Sequence, residues 1–379
     1  MNRKEFFISI AKGLALLGAF EVGLLKLDFN KQVLAQTPGG IKLDYKTKPI
    51  ILKHTWTISR SSIDEKKNIF VKLEKDGVFG LGEASPNLRY NETVESTIKI
   101  IEKSRNIFKD SSPDQFNELG YKIAVLDTEQ NSAKAAVDIA LMDLVTKKLG
   151  VPLYKYLGLD KSKTPITSFS IGIDKPEIIK KKVKEASIYP LLKIKVGKEN
   201  DKEIIEAIRS VTDKPIRVDA NEGWKTKEEA LEKILWLEKM GVEFVEQPMP
   251  VDKIEDVMWL RERVHIPIIA DESVKTASDI PKLAKAYDGI NIKLMKSGGI
   301  QEALRMIAIA KSLNMKIMLG CMIESSLGIT AAAHLSPMVD YADLDGNLLI
   351  SNDPFKGVIV EKGKLILPDK PGLGVTGDW

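Results

Sequence analysis

Between Thr167 and Asp345 the chain repeats one pattern, a short apolar strand followed by an amphipathic helix, and this repetition restricts the fold more than any other feature. Strands are expected at Thr167–Gly172, Leu191–Val196, Ile216–Asp219, Phe244–Glu246, Ile268–Ala270, Ile290–Lys293 and Ile317–Leu319, with an eighth candidate at Tyr341–Asp345. Most are followed by helical patterns such as Lys227–Met240 and Ile300–Leu313. Seven or eight such units predict an α/β protein built on a (β/α) barrel, a modified TIM barrel. An open doubly wound sheet is the competing architecture. It would want a glycine-rich phosphate loop after its first strand, and the sequence has none.

The 379 residues leave room for a second domain. Residues 41–160 read as an α+β capping domain. Antiparallel strands turn at Asp76-Gly77, and helical patterns follow at Glu92–Phe108 and Ser132–Leu149. The polar stretch Thr55–Lys67 is expected to be an irregular, mobile loop. The barrel is assigned to residues 165–345. The tail 346–379, with strands near Val358–Val360 and Leu365–Leu367, is expected to return to the capping domain.

Residues 1–35 read as a signal peptide. Arg3 and Lys4 open it, Gly13–Phe20 is apolar, and Val33 and Ala35 are the small residues before cleavage at Gln36. Asn2-Arg3-Lys4-Glu5-Phe6-Phe7 also resembles a twin-arginine signal with lysine in the second position. Export to the periplasm by general secretion or by that variant route is the expectation. No stable membrane span is expected after processing, since Lys12 and Glu21 cut the apolar run short.

Several chemistries are disfavoured. Net charge is +4 and the basic residues are scattered, which argues against nucleic-acid binding. Cys321 is the only cysteine and reads as a small buried hydrophobe. Three histidines, His54, His265 and His334, lie far apart and form no metal-ligand spacing. Acid–base work therefore falls to Lys, Asp and Glu.

Those residues fall where a barrel builds its site. Lys193 and Lys195 share one side of the second barrel strand, while Asp219, Glu246, Asp271 and Lys293 stand at the ends of the third to sixth. Any one carboxylate after a strand would ordinarily be a helix cap, and a lone strand lysine would ordinarily reach for water. Three carboxylates at successive strand ends are different. They would repel one another unless a cation joined them, and an all-oxygen ligand set suits Mg²⁺.

The stretches Lys193-Ile194-Lys195, Asp219-Ala220-Asn221, Glu246-Gln247-Pro248, Asp271-Glu272-Ser273 and Ile292–Gly299, in this order and spacing, resemble the enolase superfamily in its muconate-lactonising branch. The resemblance runs from about Ile41 to the end. It implies Asp219, Glu246 and Asp271 as ligands of one Mg²⁺, with Lys195 and Lys293 as acid–base residues on opposite faces of the substrate. The chemistry is consistent with those groups: an α-proton beside a carboxylate is weakly acidic, and its removal gives an enediolate whose charge Mg²⁺ stabilises. The resemblance likewise implies a lysine base working beside Mg²⁺. Lys193 is expected to help stabilise that charge and to lower the Lys195 pKa by like-charge repulsion.

Asp343-Leu344-Asp345 resembles the Asp-x-Asp pair with which dipeptide epimerases, among them the Ala-Glu epimerases, hold the free ammonium of their substrate. The implied reaction is epimerisation of a dipeptide at the α-carbon of its C-terminal residue. Lactone formation or dehydration to a succinylbenzoate, reactions of the same branch, is the alternative, and the Asp pair argues against it. An exported binding protein that has kept the barrel without the chemistry is the non-enzymatic alternative. Arg60 falls where some relatives place an arginine that pairs with an acidic second residue, although as a residue alone it reads as a surface arginine. Glu324 and Asn221 are candidates to stand behind the direct ligands. The expected partner is a small dipeptide, and assembly into a homo-oligomer is left open.

Overall fold

The computed structural model describes residues 39–379, and the leader expected at residues 1–35 lies outside them. Eight parallel strands run in chain order around a nearly closed barrel: β4 (Phe169–Ile171), β5 (Leu192–Lys195), β6 (Ile216–Asp219), β7 (Val242–Glu246), β8 (Ile268–Ala270), β9 (Gly289–Ile292), β10 (Lys316–Gly320) and β11 (Tyr341–Asp343). The last strand meets the first through a bridge between Thr167 and Ala342. All eight expected strands are present, within three residues at each end.

Alternation along these strands separates two chemistries. Leu192, Ile194, Ile216 and Val218 face outward into the large core shared with the helices. The inward residues near the strand starts, Phe244, Ile269, Met318 and Tyr341, form a separate apolar plug. Two residues beyond Phe244, Ile269 and Tyr341, on the same faces, stand Glu246, Asp271 and Asp343, so the plug becomes the floor of a polar mouth.

The capping domain has three antiparallel strands, β1 (Lys42–Ile58), β2 (Ser61–Lys75) and β3 (Val78–Ala84), followed by helices Val94–Phe108, Phe116–Ala124 and Asn131–Lys148. The last helix is buried on every side from Asn131 to Thr146 because it lies between the sheet and the barrel. Its close approach to β3 depends on Gly80 and Gly82, where an added Cβ would stand 2.1 Å from the Ala140 carbonyl and 1.9 Å from the Ala136 carbonyl. Gly82→Ala is therefore expected to destabilise the protein by about 1–3 kcal/mol through overpacking, measured as a lower midpoint in denaturant unfolding.

Two buried capping-domain carboxylates dock the domain onto helix N-termini of the barrel, where unpaired N–H groups point outward. Glu83 accepts from the backbone of Ser325 and Gly328 (2.9 Å each) and from Ser325 Oγ (2.6 Å) at the start of the helix Ser326–Ala333. Asp138 accepts from the Ile300 and Gln301 amides at 2.5 and 3.1 Å, at the start of Ile300–Ser312.

Two expectations about the chain's course need correction. Thr55–Lys67 is not an irregular loop: β1 and β2 run through it as a long ribbon that turns at Ser59-Arg60, with a register irregularity between Ile51 and Trp56. Cross-strand bonds between Thr55 and Asp64 (2.6 Å) and between Thr57 and Ser62 (2.8 Å) hold a ribbon whose apolar alternation is too weak to read from sequence. The tail is divided. Ser351 and Asn352 bond to β1, and Phe355 packs on Phe70 with ring centroids 5.2 Å apart. The hairpin β12–β13 (Ile359–Glu361, Lys364–Ile366) instead stays on the barrel, where Gly363 accepts from the Thr167 amide at 2.8 Å.

Candidate functional site

Register aligns the first charges. Lys195 on β5 sits beside Asp219 on β6, which sits beside Glu246 on β7. Asp271 follows β8 and Lys293 follows β9. Five successive strands therefore supply Lys195, the three carboxylates and Lys293. Since β5 and β9 are four strands apart in a ring of eight, the two lysines stand on opposite sides of the mouth, with the carboxylates on the arc between them. The remaining arc carries Asp343 and Asp345.

Asp219, Glu246 and Asp271 are all buried, and each offers an oxygen within 4.8 Å of the others. Lys195 Nζ lies 2.6 Å from Asp219 Oδ2, and Lys293 Nζ lies 2.6 Å from Asp271 Oδ2. Lys193 is clasped by Glu246 and Asp343 at 2.7 Å and by Asp219 at 3.2 Å. Burial opposes its charge, but Asp343, Glu246 and Asp219 outweigh that and hold its pKa well above the ordinary lysine range.

The carboxylates respond unequally. Burial would raise Asp219, but Lys195 and Lys193 hold it at about 2. Asp271 is likewise opposed by burial, yet Lys293 and Lys296 keep it well below the usual carboxylate range. Glu246, pushed up by burial and by the Asp219 charge, reaches about 8. Its Oε2 accepts no well-directed hydrogen bond, although Lys193 Nζ is only 2.7 Å away. Three converging buried carboxylates, one short of positive charge and of a donor, fit a divalent cation with oxygen ligands, and Mg²⁺ is the natural one.

Asp343 Oδ1 accepts from Ser168 Oγ (2.7 Å) and Ser170 Oγ (3.1 Å), while its Oδ2 takes Lys193. Asp345 Oδ2 accepts from the Ser170 amide at 2.6 Å, and its Oδ1 faces the Cys321 thiol, 4.0 Å away. Burial and the Asp343 charge push Asp345 up to about 7, so this pair also has room for a cation. Both line one cavity with Lys193, Lys195, Lys293, Asn221 and Arg60.

The other expected residues are distributed around it. Asn221 donates through its amide to Asp219 Oδ1 (2.9 Å) and through Nδ2 to Glu272 (3.1 Å). Arg60, at the ribbon tip, is not a free surface arginine: it reaches over the mouth to Glu272 Oε1 at 2.7 Å and the Asn221 carbonyl at 3.0 Å. Glu324 accepts from the Met322 amide (2.7 Å), and burial with the nearby Glu83 raises it to about 8. Cys321 is half-buried in the cavity wall rather than enclosed in the core, and its thiol donates to the Asp343 carbonyl at 3.3 Å.

Sequence reasoning passed over several contributors. Lys296 is fully buried and grips Asp271 Oδ1 at 2.6 Å. Its signal was the three-residue spacing from Lys293, one helical turn, within a segment not recognised as helical. Asn291, two before Lys293 on the same strand face, donates to Glu246 Oε1 at 2.7 Å. Gln247 positions Asp271 by accepting from its amide at 2.9 Å.

Comparison with known proteins agrees with this geometry. Residues 46–158 match the family described as mandelate racemase / muconate lactonizing enzyme, N-terminal domain, and residues 179–379 match the enolase C-terminal domain-like family. An L-Ala-D/L-Glu epimerase of Bacteroides thetaiotaomicron is 44% identical across 99% of both chains. The substrate-liganded L-Ala-D/L-Glu epimerase of Bacillus subtilis superposes with a TM-score of 0.85 at 32% identity, over 89% of this chain and 99% of that one. A dipeptide epimerase of Enterococcus faecalis V583, complexed with Mg and L-Leu-L-Tyr, gives 0.84 at 35% identity over the same shares.

Proposed function

The chain belongs to the enolase superfamily, in its mandelate racemase / muconate lactonizing enzyme branch, and on that premise we propose that it is a Mg²⁺-dependent dipeptide epimerase. One observation carries the reading: Lys195 and Lys293, the two opposed lysines that flank the carboxylate triad, line one cavity with the Asp343–Asp345 pair. Asp219, Glu246 and Asp271 would hold the ion. When bound, Mg²⁺ supplies positive charge beside the substrate carboxylate, where negative charge builds as the α-proton leaves.

The chain's own groups do the rest. Asp345, supported by Asp343, receives the ammonium of the first residue and fixes the α-carbon of the second between the two lysines. One of Lys195 and Lys293 takes the α-proton at its Nζ, and the other delivers a proton to the opposite face, which inverts the centre. Lys193 adds a fixed positive charge next to the triad. The test is exchange of one α-proton for solvent deuterium across a dipeptide library. Exchange without added metal, or none with any dipeptide, would sink it.

Substrates lacking an ammonium, as in lactone formation or dehydration, would leave Asp345 facing the cavity unpaired. Asp345→Asn is accordingly expected to lower kcat/KM for dipeptides roughly 100-fold, mainly through KM. The pH dependence has a definite sign. The Asp345 carboxylate forms as pH rises through about 7. A dipeptide amine stays protonated to roughly pH 8, so KM falls between pH 6 and 7.5 in the wild type and is flat there in the variant. An unchanged KM–pH profile in Asp345→Asn would refute this assignment.

The leader extends the reading to location: an exported enzyme, periplasmic, cleaved before Gln36. Sequencing the N-terminus of protein recovered from that compartment tests it.

A further inference from the structure

A carboxylate can offer an ion one oxygen or both, and that choice separates two common cations. Mg²⁺ is small, demands near-octahedral order and takes single carboxylate oxygens while keeping several waters. Ca²⁺ is larger and readily takes both oxygens of one carboxylate.

In each carboxylate of the triad, one oxygen is already held by a donor of the fold. Asp219 Oδ1 accepts from the Asn221 amide at 2.9 Å, Glu246 Oε1 from Asn291 Nδ2 at 2.7 Å, and Asp271 Oδ1 from Lys296 Nζ at 2.6 Å. The other oxygen of each faces the lysines of the reaction centre. Asp219 Oδ2 meets Lys195 and Lys193, Glu246 Oε2 meets Lys193, and Asp271 Oδ2 meets Lys293. Those three lysines line the cavity, whereas Asn291 and Lys296 stand behind the carboxylates and do not.

Both side-chain donors are fixed in place. Lys296 is fully buried on the single helical turn Leu294–Ser297, and its three protons go to Asp271 Oδ1, the Asp271 carbonyl and the Asn291 carbonyl at 3.0 Å. Letting go of Asp271 would leave an uncompensated charge out of water. Asn291 is fully buried on β9 against Gly320, where an added Cβ would stand 2.6 Å from its Oδ1 and 2.7 Å from its Nδ2. The amide is wedged there, and Nδ2 stays on Glu246.

We infer that Asn291 and Lys296 decide which metal the site accepts: each holds back one oxygen of its carboxylate, so the triad binds through single oxygens and favours Mg²⁺ over Ca²⁺. Both are positioning residues that act through Glu246 and Asp271. The inference rests on the triad being the Mg²⁺ site of the proposed epimerase, and deepens that reading.

The test is calorimetric titration of the metal-stripped full chain with Mg²⁺ and with Ca²⁺, in the absence of substrate, and the quantity compared is the ratio of the two Kd values. The wild type is expected to bind Mg²⁺ roughly tenfold or more tighter than Ca²⁺. Asn291→Ala changes no charge and frees Glu246 Oε1, so the ratio moves roughly tenfold towards Ca²⁺, the lower end of what such outer contacts carry. Lys296→Met moves it by a similar factor. That variant also removes a positive charge, which tightens both ions together, and the ratio cancels this common gain. A wild type that binds Ca²⁺ as tightly as Mg²⁺, or an unchanged ratio in either folded variant, overturns the inference. Should Lys296→Met fail to fold, Asn291→Ala decides alone. If the wild type binds neither ion, the reading of the triad as a Mg²⁺ site falls instead.

Discussion

Lys293→Ala and Lys195→Ala each lower epimerisation by roughly 10³–10⁴-fold, yet each still exchanges the α-proton of one epimer with solvent, and the two variants retain opposite epimers. The expectation follows from placement. The lysines stand four strands apart in an eight-strand ring, so each reaches one face of a substrate held between them. Inversion needs both faces, whereas exchange needs only the lysine that remains. The fold survives either change because no carboxylate is orphaned. Asp271 keeps Lys296 at 2.6 Å when Lys293 is removed, and Asp219 keeps Lys193 at 3.2 Å when Lys195 is removed. Deuterium incorporation followed separately from each pure epimer reads the result. Two variants retaining the same epimer, or one variant epimerising near the wild-type rate, would show that the lysines do not act from opposite sides.

Why the site was legible while parts of its surroundings were not is a matter of range. A barrel strand buries its odd and even residues against different layers, so a charge ending an apolar run has one place to go, the mouth. Asp219, Glu246 and Lys293 follow from that local rule. Glu83 obeys no local rule. It sits in an ordinary antiparallel strand, and its importance comes from a segment folded against it much later in the chain, at Ser325. Lys296 illustrates a second limit. Its charge and its three-residue spacing from Lys293 are visible, but nothing local to a surface-type residue says that it will be fully buried on a carboxylate. The ribbon Thr55–Lys67 is a third case. Its strands are held by paired hydroxyls and backbone bonds, so the period-two apolar signal on which strand recognition depends is weak there.

The triad's three carboxylates make different contributions to stability, and replacing them one at a time exposes the difference. Asp271 binds Lys293 through one oxygen and Lys296 through the other, both at 2.6 Å and both out of water. Asp271→Ala leaves two buried ammonium groups with no acid in contact. Breaking a buried pair from one side costs about 3–5 kcal/mol, so this variant unfolds at markedly lower denaturant and binds no Mg²⁺. Glu246 behaves otherwise. Its carboxyl is already inclined to the neutral form, and Gln at that position keeps the volume and the 2.7 Å bond from Asn291. Glu246→Gln is therefore expected to change metal-free stability by less than about 1 kcal/mol, within the range of a tolerated isosteric change. It nevertheless abolishes activity. Mg²⁺ at a hundred times its Kd should stabilise the wild type by about 2.7 kcal/mol and this variant not at all. Denaturant unfolding of both variants with Mg²⁺ and with chelator separates the two roles. If Asp271→Ala proves as stable as Glu246→Gln without metal, the lysine clamp on Asp271 carries no energy, and the asymmetry between the carboxylates has no consequence for the fold.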